Sequence, residues 1–157
     1  MQNPQAVIAA LENAPALLLP LIREVPPGHV KRRPRSGKWS AHEHACHLAV
    51  VHKLFFTRLD LMLRDPQPQI TPYQPDRDET EDHLLQLDLE ESLTRFVSDR
   101  EQLVATLKAL RPEDWNRTAE HPEYSRYSIF IMFRHLALHD LFHGYRIEEL
   151  LLKKDWE

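Results

Sequence analysis

The segment FRHLALHDLFHGYRIEEL, from Phe133 to Leu150, carries His135, His139 and His143 at intervals of four residues. Residues four apart on an α-helix are turned by about 40° around its axis and stand one turn above each other, so His139 and His143 project from one face. Two imidazoles so placed can share a metal ion, because neutral imidazole binds Zn, Ni or Fe without charge compensation. The H-x-x-x-H pair alone is a weak signal in a chain with ten histidines. A catalytic metal site also needs a further protein ligand and an open position. That ligand must come from another helix, and WSAHEHACHLAVVH offers His42, His44, His47 and His52. Leu48, Val51, Phe55 and Leu59 define the apolar side of this segment. His47 borders that stripe, and His44, one turn above it, can also face inward. His42 falls in the first turn and is expected in solvent, while His52 is expected to be partly buried.

These side chains need helices to hold them. Ser40 followed by Glu43 is a capping box, so the histidine-rich segment opens a helix there, with apolar residues recurring through Met62. Before it, Pro4 to Glu24 has an apolar face of Val7, Ile8, Leu11, Leu18, Leu21 and Ile22, which Pro15 is expected to kink or split. The proline-rich DPQPQITPYQP is expected to be a polar loop outside the core. A third helix is predicted from about Asp78 to Leu110 and a fourth from about Ser128 to Lys153. Glycine is scarce, at three residues, which favours helices over strands. Four long amphipathic segments imply an all-α four-helix bundle, with residues 1–157 forming one domain.

The formal charge of −4 argues against a polyanion binder, and KRRPRSGK, although basic, has no interleaved aromatic residues for nucleic acid. The run is read as a solvated loop, or as a local attraction for an anionic substrate or thiol cofactor through Lys31, Arg32, Arg33, Arg35 and Lys38. Cys46 is the single cysteine, which excludes an internal disulfide framework and suits a reducing cytoplasm. The N-terminal stretch has no basic leader and is broken by Pro4, Pro15 and Pro20, so neither a signal peptide nor a membrane span is expected.

The stretch WSAHEHACHL, followed far downstream by HDLFHGYRIEEL, resembles the DinB/YfiT-like family of metal-binding four-helix-bundle proteins. Trp39, Ser40, Glu43, His47 and Leu48 match its first motif, and His139, Asp140 and His143 match its second. The family commonly has Gln shortly after the last His, where this chain has Gly144, Tyr145 and Arg146. The resemblance implies an unusual helix order, with a long connection between the second and third helices, for which Pro66–Pro75 is suitably long. It also implies a divalent metal (Zn, Ni or Fe) on His47, His139 and His143.

Other candidates have plainer readings beside the functional ones. His135 and His44 are read as boundary histidines that can also orient a ligand or touch substrate. Glu43 is read as the cap before it is read as a base, and His121 as a turn residue within reach of the site mouth. Cys46 is a small buried residue. The resemblance suggests a thiol S-transferase, using a low-molecular-weight thiol of the bacillithiol, mycothiol or glutathione type on an electrophilic small molecule. A metal-dependent hydrolase, or a non-catalytic, stress-related metal-binding bundle, is the alternative. SIFIMF, Ser128–Phe133, is apolar nearly all round, which predicts a homodimer.

Overall fold

The computed structural model describes residues 2–34, 37–73 and 82–154. Four long helices form where the apolar periodicity places them, and each starts on a side-chain cap. Asn3 accepts from the Ala6 amide at 3.1 Å and opens α1, Pro4–Glu24. Ser40 accepts from the Glu43 amide while the Glu43 carboxylate accepts from the Ser40 amide, a complete capping box for α2, Ala41–Arg64. A short helix α3 spans His83–Gln86. Asp88 caps α4, Leu89–Ala109, and Ser128 caps α5, Ile129–Leu151.

Two helix predictions need correction. α1 is not split at Pro15: it continues through both Pro15 and Pro20, held by Leu11, Leu18 and Ile22 against the other helices. The third segment is not one helix from Asp78. The chain is extended at Leu87 and Asp88, and α4 begins after them. Asp88 followed by Glu90 and Glu91 is a helix-start signal, because the Asp88 side chain accepts from the Glu91 amide at 2.9 Å. The predicted start at Asp78 lies outside the described residues.

α1 packs on α5 and α4, α2 packs on α4 and α5, and α1 scarcely touches α2. The consecutive helices α1 and α2 are therefore diagonal, and α4, which follows the long connection after Arg64, packs against both. α1 is long and apolar enough by length and composition to cross a membrane, and here it is one wall of the bundle. The proline-rich connection contributes to the core, contrary to expectation. The Ile70 amide donates to the Glu120 carbonyl at 2.8 Å, and this pairing with the segment before α5 buries the Ile70 side chain among the bundle residues. SIFIMF is also spent internally. Ile129, Phe130, Met132 and Phe133 are buried and Ile131 packs against the same core, so this segment offers no surplus apolar face.

One side chain ties all four long helices together. Arg100 of α4, 1% exposed, donates to the Leu11 carbonyl of α1 at 2.9 Å, to His52 Nε2 of α2 at 3.0 Å and to the Asp140 carboxylate of α5 at 2.6 and 3.1 Å. A buried guanidinium is tolerated there because its donors are met by acceptors and its charge by a carboxylate.

Candidate metal centre

His47 comes from the second turn of α2, while His139 and His143 come from successive turns of α5. The packing of α2 on α5 turns all three toward one another. His139 Nε2 lies 3.0 Å from His47 Nε2 and 3.0 Å from His143 Nε2. The imidazoles are largely buried, and burial pushes His47 down to about 4 and His139 to about 3, the latter helped by neighbouring imidazoles. His143 is pushed down too, by burial and then by His139 and His47. All three are therefore neutral at pH 7, with lone pairs available.

The convergence is not a self-sufficient hydrogen-bond network. An imidazole nitrogen presents either one proton or one lone pair, so His139 Nε2 can form a well-directed hydrogen bond with only one of its two nitrogen neighbours. The Nδ1 atoms of His47 and His139 are buried without a partner. Three neutral nitrogens brought together in this way suit a cation better than they suit one another.

His44 is the fourth member of the cluster. Its Nδ1 lies 2.7 Å from His143 Nδ1, on the side of that ring away from His139. With His143 Nε2 directed at the cluster, its Nδ1–H donates to His44, which fixes both tautomers. Burial pushes His44 down to about 4, keeping it a neutral acceptor. Trp39 closes the site from the loop before α2, with its ring centroid 4.9 Å from that of His47 and stacked 6.0 Å from that of His143.

The remaining sequence candidates separate. Glu43 points away from the cluster into the cap, accepting from Arg33 Nε at 2.9 Å and from Ser40. Burial raises its pKa, but Arg33 and Ser40 more than offset this and hold it below the ordinary 4.5. His135 is exposed, and His121 is half-buried between Tyr124 and Tyr127. His42, expected in solvent, is 1% exposed with Nε2 against the Leu84 carbonyl at 3.1 Å, because α3 covers the first turn of α2. His52, expected to be partly buried, is fully buried under Arg100. Cys46 is buried, and burial raises its thiol pKa, as suits an inert core residue.

The three histidines floor a groove of about 1160 Å³ whose walls include Trp39, Tyr73, Phe142, Tyr145 and Leu152. The basic run contributes less to it than its charge suggests. Lys31 donates to the Leu85 carbonyl, and Arg33 is paired with Glu43 and Asp82. Lys38 lines the groove, joined from α5 and beyond by Arg146 and Lys153. Arg35 lies outside the described residues.

Residues 10–147 match the DinB superfamily. The chain belongs to the DinB superfamily. A "Putative metal-dependent hydrolase" of Oceanobacillus iheyensis is 30% identical over 149 residues, covering 95% of this chain and 86% of that protein. Among solved structures, YfiT of Bacillus subtilis, described as "a probable metal-dependent hydrolase with an unusual four-helix bundle topology", superimposes with a TM-score of 0.83 at 24% identity, over 94% of this chain and 85% of that one. TT2238, a four-helix bundle protein, gives a TM-score of 0.68 at 23% identity, over 93% of this chain and 98% of that one. These two structures share the fold. The diagonal placement of α1 and α2 is the feature of this DinB-superfamily chain that departs from a simple up-and-down bundle.

Sequence reasoning missed the Arg100 junction, since an arginine in the middle of an amphipathic helix reads as surface. It also missed the grouping of Arg58 of α2 with His121 and Tyr127, which come from the connection before α5. The signal for Arg100 was Pro15, which frees a carbonyl in the middle of α1.

Proposed function

We propose that this protein is a metal-dependent enzyme in which His47, His139 and His143 hold a divalent cation at the floor of the groove. The observation that carries this reading is the convergence of three neutral Nε2 atoms beneath an apolar, aromatic groove open to solvent. A divalent cation held by three neutral histidines supplies Lewis-acid activation of a nucleophile near neutral pH. The chain's own residues do the rest. His44 orients His143, Trp39 shields the cluster from water, and Phe142 and Tyr145 offer faces for an apolar or aromatic substrate.

The nucleophile we favour is a low-molecular-weight thiol, transferred to an electrophilic small molecule. At about 1160 Å³ the groove has room for a thiol and a second small molecule together. Lys38 and Lys153 are placed to meet the carboxylates that such thiols carry. Water in the same role makes the protein a hydrolase, a reading supported by the name of the relative from Oceanobacillus iheyensis.

The test is to load the protein with Zn, Ni or Fe and assay it against chloronitrobenzene and ester substrates, with and without bacillithiol, mycothiol, glutathione, cysteine or coenzyme A. Metal-dependent conjugation that is lost in His139→Ala supports the transferase reading. Metal-dependent ester cleavage indifferent to thiol replaces it with the hydrolase reading. No rate above free metal in any combination overturns both.

A further inference from the structure

A smaller cavity of about 150 Å³ adjoins the groove and shares His47, Tyr73 and His139 with it, and Arg58, His121 and Tyr127 complete its wall. We propose that this cavity is a carboxylate-binding subsite of the metal centre, which grips a small acidic group of the molecule bound there. The inference rests on the enzymatic reading given above and deepens it by naming a chemical class of ligand.

The cavity is rich in donors directed by neighbouring atoms. Arg58 donates from Nη2 to the Thr71 carbonyl at 2.9 Å and from Nη1 to the Tyr127 hydroxyl at 3.3 Å, and its Nε is buried without a partner. It forms no ion pair among the described residues. Tyr127 is 5% exposed, and because its oxygen accepts from Arg58, its own proton is left to point elsewhere. Burial pushes its phenol pKa up, which keeps that proton in place. The Glu123 amide donates to His121 Nδ1 at 3.1 Å, which makes Nδ1 the acceptor and puts the ring proton on Nε2. Burial, followed by the charge of Arg58, lowers the pKa of His121, so it stays a neutral donor.

A guanidinium, a phenol and an imidazole N–H thus share a small space. The carboxylate of the exposed Glu123 at its edge makes no ion pair with Arg58. A carboxylate is the acceptor that satisfies several such donors at once. The volume sets the size. At about 150 Å³ the cavity holds a carboxylate on a short chain or on a single small ring. The rest of the bound molecule would pass over His47 and His139 into the wide groove.

The experiment begins with metal-free protein, so that a carboxylate cannot bind through the ion. Sodium acetate is titrated at constant ionic strength in chloride, and the His121 ring signals are followed by NMR. The expected result is a saturable shift with acetate that chloride does not reproduce. Tyr127→Phe, which keeps the ring packing, should weaken it at least about fivefold, and Arg58→Gln, which removes the charge, by about tenfold or more. Lys108→Gln, at an exposed position of α4 paired with Glu12, should leave it unchanged. A non-saturating shift, or equal affinity in Tyr127→Phe and Arg58→Gln, overturns the subsite.

Because this arm needs no catalysis, it stands or falls separately from the enzymatic reading. In a metal-loaded protein that turns over, Tyr127→Phe should raise KM for an acid-bearing electrophile if the substrate supplies the carboxylate. It should raise KM for the thiol if the thiol supplies it. An unchanged KM for both overturns the assignment.

Discussion

The Arg100 guanidinium donates at 2.9 Å to the Leu11 carbonyl, which is the carbonyl that Pro15 leaves without its helical partner. An α-helix pairs each carbonyl with the amide four residues on, and Pro15 has no N–H to give. Proline in the middle of α1 thus creates an acceptor inside the bundle, and Arg100 fills it while neutralising Asp140 next to the site residue His139. Arg100→Met should lower unfolding free energy by about 3–5 kcal/mol, because it strands the buried Asp140 carboxylate. Arg100→Met combined with Asp140→Leu should recover much of that loss. Urea denaturation of the metal-free proteins measures both, and a single variant as stable as the parent would remove the junction from the account.

Each of His47→Ala, His139→Ala and His143→Ala should abolish stoichiometric metal binding, whereas His135→Ala, at an exposed position, should retain it. His44→Ala should keep the metal but bind it about 10–100-fold more weakly, because His143 loses the acceptor on its Nδ1–H. His44→Gln, which keeps an acceptor, should recover part of the loss. Metal content after dialysis and competition with a chelator measure these effects. Full metal content in all three ligand variants would show that the site is misassigned.

What the sequence disclosed follows from how local each cause is. The capping box at Ser40 and Glu43 and the periodic stripes of α1, α2 and α5 are written within a few turns of chain, and they fixed the bundle and the face bearing His139 and His143. The pairing of His47 with them was open among four histidines until the family motif singled it out. The burial of His42 was hidden because α3, which covers it, lies more than forty residues away and contributes a backbone carbonyl that no side-chain pattern announces. The same holds for Arg58 of α2 and for His121 and Tyr127, which the irregular connection before α5 brings against that helix. The fate of the basic run was hidden for the opposite reason: Glu43, already explained as a cap, also takes up the charge of Arg33.

That double use of Glu43 makes acid stability a direct test. Its folded-state pKa lies below the ordinary 4.5, so the ionised form contributes stability that is fully present above that value and lost as pH falls through the depressed one. Unfolding free energy of the metal-free protein should therefore drop as pH is lowered below 4.5. Glu43→Gln should be less stable at neutral pH by about 1.5–3 kcal/mol and should show a flatter decline in the acid range. The difference between the two proteins isolates this carboxylate from the others. Parallel curves would mean that Arg33 and the cap draw nothing from its charge.

A last prediction concerns assembly. The segment that suggested a homodimer, Ser128–Phe133, is buried, but the later half of α5 leaves an apolar stripe in solvent. Leu138, Leu141, Phe142, Tyr145 and Leu152 are all at least half exposed, at 59%, 56%, 50%, 63% and 67%. Their spacing puts them on one side of the helix along about 21 Å of its length. A second copy, packing its own α5 stripe antiparallel against this one, would cover the stripe symmetrically. A stable dimer needs about 1,200–2,000 Å² of total buried surface, so flanking residues such as Leu17 of α1, 62% exposed, would have to join the contact. We expect light scattering to report a dimer and Leu141→Glu to convert it to a monomer with unchanged metal content, since Leu141 is exposed and does not line the groove over the site. Phe142 and Tyr145 also wall the groove, so the monomeric variant should show a raised KM where activity is found. A monomer at every concentration of the unmodified protein would assign the stripe to substrate or another partner, and not to a second copy of this chain.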